Sequence, residues 1–257
     1  MQQHEIDKRR KARQKKARRK RLKICFIFFL IAALITLAVM CFTVFFPIKR
    51  ISVSGSQIYS KAEIIKASGL STKDNLFVVS EEKLEQNIRK KLPYIDSVSL
   101  KRNLPDAVVL TITDAKEYSC IEVAQKYYII SQSGYVLKEQ SESPKNVFKI
   151  ITSGAKCEIG KMIEYKNQAE SELVVTLIEL LENKNINIDT IDVSNILSLT
   201  IIVEDNFIVK IGTDEYLEQK IAHLSSMIDS IGDRKGEINL SMWTPSNSQG
   251  SFVEETN

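Results

Sequence analysis

Residues 24 to 46, ICFIFFLIAALITLAVMCFTVFF, form a run of 23 positions without a formal charge, in which only Thr36 and Thr43 are clearly polar. A helix of that length is about 35 Å long at 1.5 Å per residue, and a hydrocarbon core is about 30 Å thick. The run therefore predicts a single transmembrane helix. A cleaved signal sequence carries an apolar region of about 7 to 15 residues before a small-residue site, whereas this run ends in bulky Phe45 and Phe46 ahead of Pro47. An uncleaved anchor is the expectation.

Charge is divided unevenly around that run. Residues 1 to 23 hold 12 lysines and arginines against two acidic residues, leaving 24 basic against 30 acidic residues in the remaining 234, so the overall net charge of +4 describes neither part. Basic residues flanking a span stay on the cytoplasmic side. The pattern predicts a single-pass type II membrane protein, with the basic tail inside and everything after the span outside the cytoplasm. Without interleaved aromatic residues, the block Lys8 to Lys23 reads as a topology signal and a lipid anchor, not as a nucleic-acid interface.

Beyond Pro47 the chain reads as folded protein. Ile48, Ile51 and Val53 alternate as in a strand, Ser60 and Glu63 have the spacing of a capping box, and Gly69 stands where a helix ends. Ser80-Glu81-Glu82 opens a second helix bearing Leu84, Ile88 and Leu92, which Pro93 stops. Two alternating strands follow around Asn103-Leu104-Pro105-Asp106, giving a β-α-α-β-β order over 48 to 113. A β-rich region comes next, with hairpins in KYYIISQSGYVLKE and LSLTIIVEDNFIVKIGT. A helix is predicted from Gln168 to Asn183, and another from Asp214 to Ile231 with Leu217, Ile221, Leu224, Ile228 and Ile231 on one face. The run EINLSMW (237–243) is expected as a closing strand, and residues 244 to 257 are too poor in apolar side chains to order themselves.

Catalytic constellations are missing from this pattern. The two histidines, His4 and His223, fall on opposite sides of the span, and His223 lies on the wet face of its helix. Serine-x-x-lysine occurs at Ser80/Lys83 and Ser153/Lys156, but the other motifs that accompany it in penicillin-binding enzymes do not. No phosphate-binding loop, nucleophile elbow or zinc spacing is present. Cys25 and Cys41 lie in the apolar run, and Cys120 and Cys157 beyond it are too few for a disulfide framework. The expectation is a non-enzymatic protein with no cofactor, metal or small-molecule substrate.

A basic head, one span and an immediate β-α-α-β-β unit opening I-x-x-I-x-V-x-G together resemble the bacterial FtsQ/DivIB cell-division family, whose unit of this order is a POTRA domain. YYIISQSGYVL and VKIGTDEYLEQKIAHLSSMI are similar to further family segments, while Ser131-Gln132 and INLSMW depart from the family's usual residues. The resemblance implies an α+β chain made of a basic tail (1–23), transmembrane helix (24–46), POTRA-like domain (47–115), β-rich FtsQ/DivIB-type domain (116–243) and disordered tail (244–257). It implies a scaffold at the division septum that recruits and stabilises FtsB/DivIC-like and FtsL-like single-pass proteins, and through them regulates septal peptidoglycan synthases. Strand addition to a sheet edge is a suitable mode. By the same resemblance the docking residues are Ile238, Asn239, Leu240, Ser241, Met242 and Trp243, with a second candidate surface at Gly55, Ser56 and Tyr59. The competing reading is a POTRA-bearing protein of translocation or assembly, although the chain lacks the amphipathic strands of an outer-membrane barrel.

Overall fold

The computed structural model describes residues 23, 26–37, 40, 46–232, 234–247 and 250–255. Two compact units are present: Met1–Ser52 with Leu70–Ser80 and Leu100–Val109, and Val53–Gly69 with Glu81–Ser99 and Leu110–Asn257.

The expected transmembrane helix is not borne out. Residues 26–37 are helical, about 18 Å at the usual rise, and among the described residues no helix is long and apolar enough to cross a membrane. Phe46, the last residue of the expected span, is instead part of the folded chain: its carbonyl accepts from Leu76 N at 2.9 Å and its ring meets Phe77 edge-on at 5.1 Å. Apolar composition registers a preference for burial, and here part of that preference is met by protein. Residues 24–25, 38–39 and 41–45, together with 1–22 and so nearly all of the basic block, lie outside the described residues.

In the first unit, the segment 46–49 is clamped by backbone bonds. Ile48 N donates to Asp74 O and Lys49 N to Asp106 O, both at 2.8 Å, and Ile48 and Leu76 are fully buried. Arg102 donates to Leu76 O and Val79 O.

The β-α-α-β-β order is present as β1 (Arg50–Ser54), α1 (Lys61–Ser68), α2 (Glu81–Lys91), β2 (Ile95–Asn103) and β3 (Ala107–Asp114), with sheet order β1-β3-β2. Helix α1 starts where the sequence says it must: Ser60 and Glu63 make the reciprocal capping box, and Gly69 closes the helix at φ 72°. Ile64, Ala67, Leu84 and Ile88 are its buried face and that of α2.

Nine strands form the large sheet of the second unit: β4 (Glu117–Val123), β5 (Lys126–Ser131), β6 (Val136–Gln140), β7 (Phe148–Ile151), β10 (Ile188–Asp192), β11 (Leu199–Val203), β12 (Phe207–Gly212), β13 (Gly236–Asn239) and β14 (Ser251–Glu254). Their order is β14-β13-β12-β11-β10-β7-β4-β5-β6, and β8 (Ala155–Lys156) pairs separately with β9 (Glu164–Tyr165). The β4/β7, β7/β10 and β12/β13 pairs are parallel and the others antiparallel. Registers place Ile121, Ile150, Ile191, Ile201, Val209, Ile238 and Phe252 in one row across seven neighbouring strands. Against the sheet residues of this core pack Val174, Leu177 and Leu181 of α3 (Gln168–Asn183) and Leu217, Ile221 and Leu224 of α4 (Leu217–Ile231). Full burial of each such side chain contributes about 1.5–3 kcal/mol.

Two boundary expectations are corrected here. The closing strand is shorter than Glu237 to Trp243, because Asn239 Oδ1 takes the backbone N–H and hydroxyl of Ser241 and turns the chain away. The tail, expected to lack order, supplies β14, because Phe252 extends the apolar row by one more strand.

Candidate partner-docking edge

The C-terminal edge of the sheet is assembled by the segment after α4. Gly232 ends the helix, with its N–H on Ile228 O at 3.0 Å, and β13 then lies parallel to β12. A parallel return of this kind needs a crossover, and α4 provides it. Lys220 of that helix is almost fully buried, yet its Nζ donates to Ile211 O and Thr213 O, both at 2.9 Å, and so ties α4 to the end of β12. Burial pulls its ammonium below the usual lysine value, with Glu215 and Asp214 opposing the shift.

The six residues expected to dock a partner have different fates. Ile238 is fully buried in the apolar row, and Leu240 is fully buried with its N–H on Lys210 O at 2.8 Å. Asn239 and Ser241 form the turn. Met242 projects outward at 81% exposure. Trp243 is 8% exposed, with its ring 5.8 Å from His223; its Nε1 is the one buried side-chain polar atom without a hydrogen-bond partner among the described residues. An unmet donor of this kind costs about 1–3 kcal/mol. His223, expected on a wet face, is half-buried and in contact with that ring.

The edge of β13 is itself occupied. β14 pairs with it antiparallel, Gly236 opposite Glu254, Glu237 opposite Val253, Ile238 opposite Phe252 and Asn239 opposite Ser251. The Phe252 ring lies 6.3 Å from Phe207 and 5.2 Å from the Arg234 guanidinium, which also reaches the Glu254 carboxylate at 4.0 Å. Gly236 is required by this approach, since a Cβ there would stand 2.2 Å from Val253 O. Phe252, Arg234 and Gly236 are not marked by any pattern in the sequence. The one local signal is the alternation in Ser-Phe-Val-Glu, too short to stand out in a polar tail.

The second candidate surface is a braced turn. Gly55 has φ 103°, and a Cβ on it would stand 2.1 Å from Ile112 O. The Ser56 hydroxyl donates to Asp114 at 2.6 Å and accepts from Tyr59 N at 3.1 Å. The Tyr59 hydroxyl accepts from Tyr94 N, and Tyr94 donates to Glu117 at the start of β4. Burial raises the Tyr59 phenol, with the Tyr94 N–H opposing. Gly55 and Ser56 thus act on the turn's shape, while Tyr59 links it to the next segment.

Elsewhere, Ser153 gives its hydroxyl to Glu170, and Lys156 pairs with Glu158 and Glu164, so this serine and lysine do not form a nucleophile–base pair with each other. Cys120 and Cys157 are free thiols, both pushed up to about 11 by burial.

The sequence has relatives among known proteins. The family described as POTRA domain, FtsQ-type, matches residues 46–114. The chain is 31% identical to a cell division protein DivIB of Clostridium tetani, over 84% of this chain and 83% of the relative. It is likewise 31% identical to a cell division protein DivIB of Clostridium acetobutylicum, over 77% and 80%. A cell division protein FtsQ of Streptomyces coelicolor is 28% identical over 39% and 38%.

Proposed function

The chain belongs to the FtsQ/DivIB family of bacterial cell-division proteins, and from that premise we propose that it is a non-catalytic scaffold of the division complex. Its role is to recruit and stabilise FtsB/DivIC-like and FtsL-like partners at the septum, and through them to regulate septal peptidoglycan synthesis. The observation that carries this reading is the C-terminal sheet edge. A sheet edge offers backbone N–H and C=O groups that accept another chain's strand, with side-chain seats supplying selectivity. Beneath the short strand β14, such seats are Ile238 of β13 and Phe207 of the neighbouring β12, both buried, and the exposed Met242 lies just past the end of β13. The turn at Gly55, Ser56 and Tyr59 is the second proposed contact. No feature of the described residues favours the alternative role in translocation or assembly.

Met242→Asp tests the edge without disturbing the core, because that side chain is 81% exposed. The variant is expected to melt like the parent while capturing FtsL-like and DivIC-like partners at least about tenfold less well in co-purification. A fluorescent fusion is expected to form a mid-cell band in dividing cells. Undiminished capture by the folded variant removes this edge from the docking surface, and uniform fluorescence counts against the division role.

A further inference from the structure

We propose that the edge of β13 is a receptor for an extended strand bearing one aromatic residue and an acidic residue two positions further on, and that the chain's own tail is its resident occupant, competing with a partner strand of that chemistry. The inference deepens the docking reading above and rests on it for the partner's identity, though not for the strand site.

Three observations carry it. First, the tail is seated by register and not by general stickiness. Phe252 stands opposite Ile238 as the outermost member of the apolar row that starts at Ile121, and its ring lies against Phe207. Second, the seat selects charge. Arg234 covers the Phe252 ring and reaches the Glu254 carboxylate, while Lys235 O accepts the Glu255 backbone N–H at 2.9 Å and extends the strand pairing by one bond. Third, the hold is thin. β14 has four residues, Phe252 is only partly buried, Val253 is 64% exposed, and the Arg234–Glu254 pair is about half exposed on both sides. Exposed pairs of that kind contribute little, and short strands with few buried contacts open readily.

A tethered strand acts as a competitor at its effective concentration, which is in the millimolar range for a short flexible linker. An incoming strand therefore meets a site open for only a fraction of the time, and its apparent affinity falls by that fraction. The tail also covers an edge that otherwise invites pairing between copies. A displacing strand has to supply what the tail supplies: an aromatic residue opposite Ile238 and an acidic residue two positions further on to meet Arg234, running antiparallel to β13.

The probe is the tail itself, a fluorescently labelled peptide of residues 250–257, GSFVEETN. Its anisotropy is titrated with the full chain and with a chain ending at Asn247. The shortened chain is expected to bind the peptide saturably and at least tenfold more tightly than the full chain. A peptide carrying Phe252→Ala is expected to bind at least tenfold more weakly to the shortened chain. Should the shortened chain fail to fold, full-length Phe252→Ala replaces it and is expected to bind the wild-type peptide more tightly than the parent does. Equal binding to parent and variant, or none to a folded variant, overturns the inference. Capture of FtsL-like and DivIC-like partners by the same chains is a separate readout. Peptide binding to the opened edge with partner capture unchanged leaves the strand site standing, and overturns both the competition and the assignment of this edge to division partners.

Discussion

Lys220→Met is expected to lower the stability of the second unit by about 3 kcal/mol. Methionine matches the stem of lysine in length, so the change removes the ammonium and little else. The ammonium is almost fully buried and donates to Ile211 O near the end of β12 and to Thr213 O just past it. Leaving buried carbonyls unmet costs about 1–3 kcal/mol each, and the relief of no longer burying a charge offsets part of that sum. For a unit of this size the melting midpoint should fall by about 6–12 °C. Thermal unfolding of both proteins checks it, and a shift within 2 °C would mean that water or neighbouring donors replace the lysine. The pH dependence carries a sign of its own. Burial holds the folded-state value below that of the unfolded chain, so in the window between the two the unfolded state binds more protons and parental stability rises with pH. The variant lacks that increment, so the gap between the two proteins should widen on the alkaline side.

Gly55→Ala should cost about as much for a different reason. At φ 103° an L side chain is strained by roughly 1–3 kcal/mol, and the added Cβ falls 2.1 Å from Ile112 O, a backbone atom that cannot rotate aside. The adjoining turn has to shift, carrying Ser56 and Gln57 away from the Asp114 carboxylate they share. Chemical denaturation should show a midpoint displaced by about 3 kcal/mol of stability, with faster amide exchange from Ser56 to Ser60. An unchanged midpoint would show that the turn relaxes freely, and that Gly55 is available for a role in partner contact rather than in shape. Tyr59→Phe separates the two roles, since it keeps the ring and removes only the acceptor for Tyr94 N.

Much of the architecture was legible because its signals are local. Ser60, Glu63 and Gly69 set the limits of α1 within a few residues of chain, and the apolar spacing in Gln168–Asn183 gave α3 its full extent. β4 and β7 were harder, since EYSCIEV and FKII are short, mixed segments whose strand character comes from lying parallel to each other in mid-sheet. The docking residues illustrate the same divide. Reading 237–243 as one alternating strand put Met242 and Trp243 on it, but Asn239 caps a turn, leaving Met242 outside and Trp243 against His223.

The sequence by itself determined the β-α-α-β-β order of the first elements, the two later helices, the family and the absence of a recognisable catalytic motif, because capping, periodicity and motif spacing are written in neighbouring residues. Only the tertiary structure decided that Phe46 belongs to folded protein, that Lys220 is interior and that the polar tail closes the sheet. Each of those depends on a partner in another element: Leu76 for Phe46, Ile211 of β12 for Lys220, and Ile238 with Phe207 for Phe252. Burial is a property of the surface a residue meets, and no local pattern contains it.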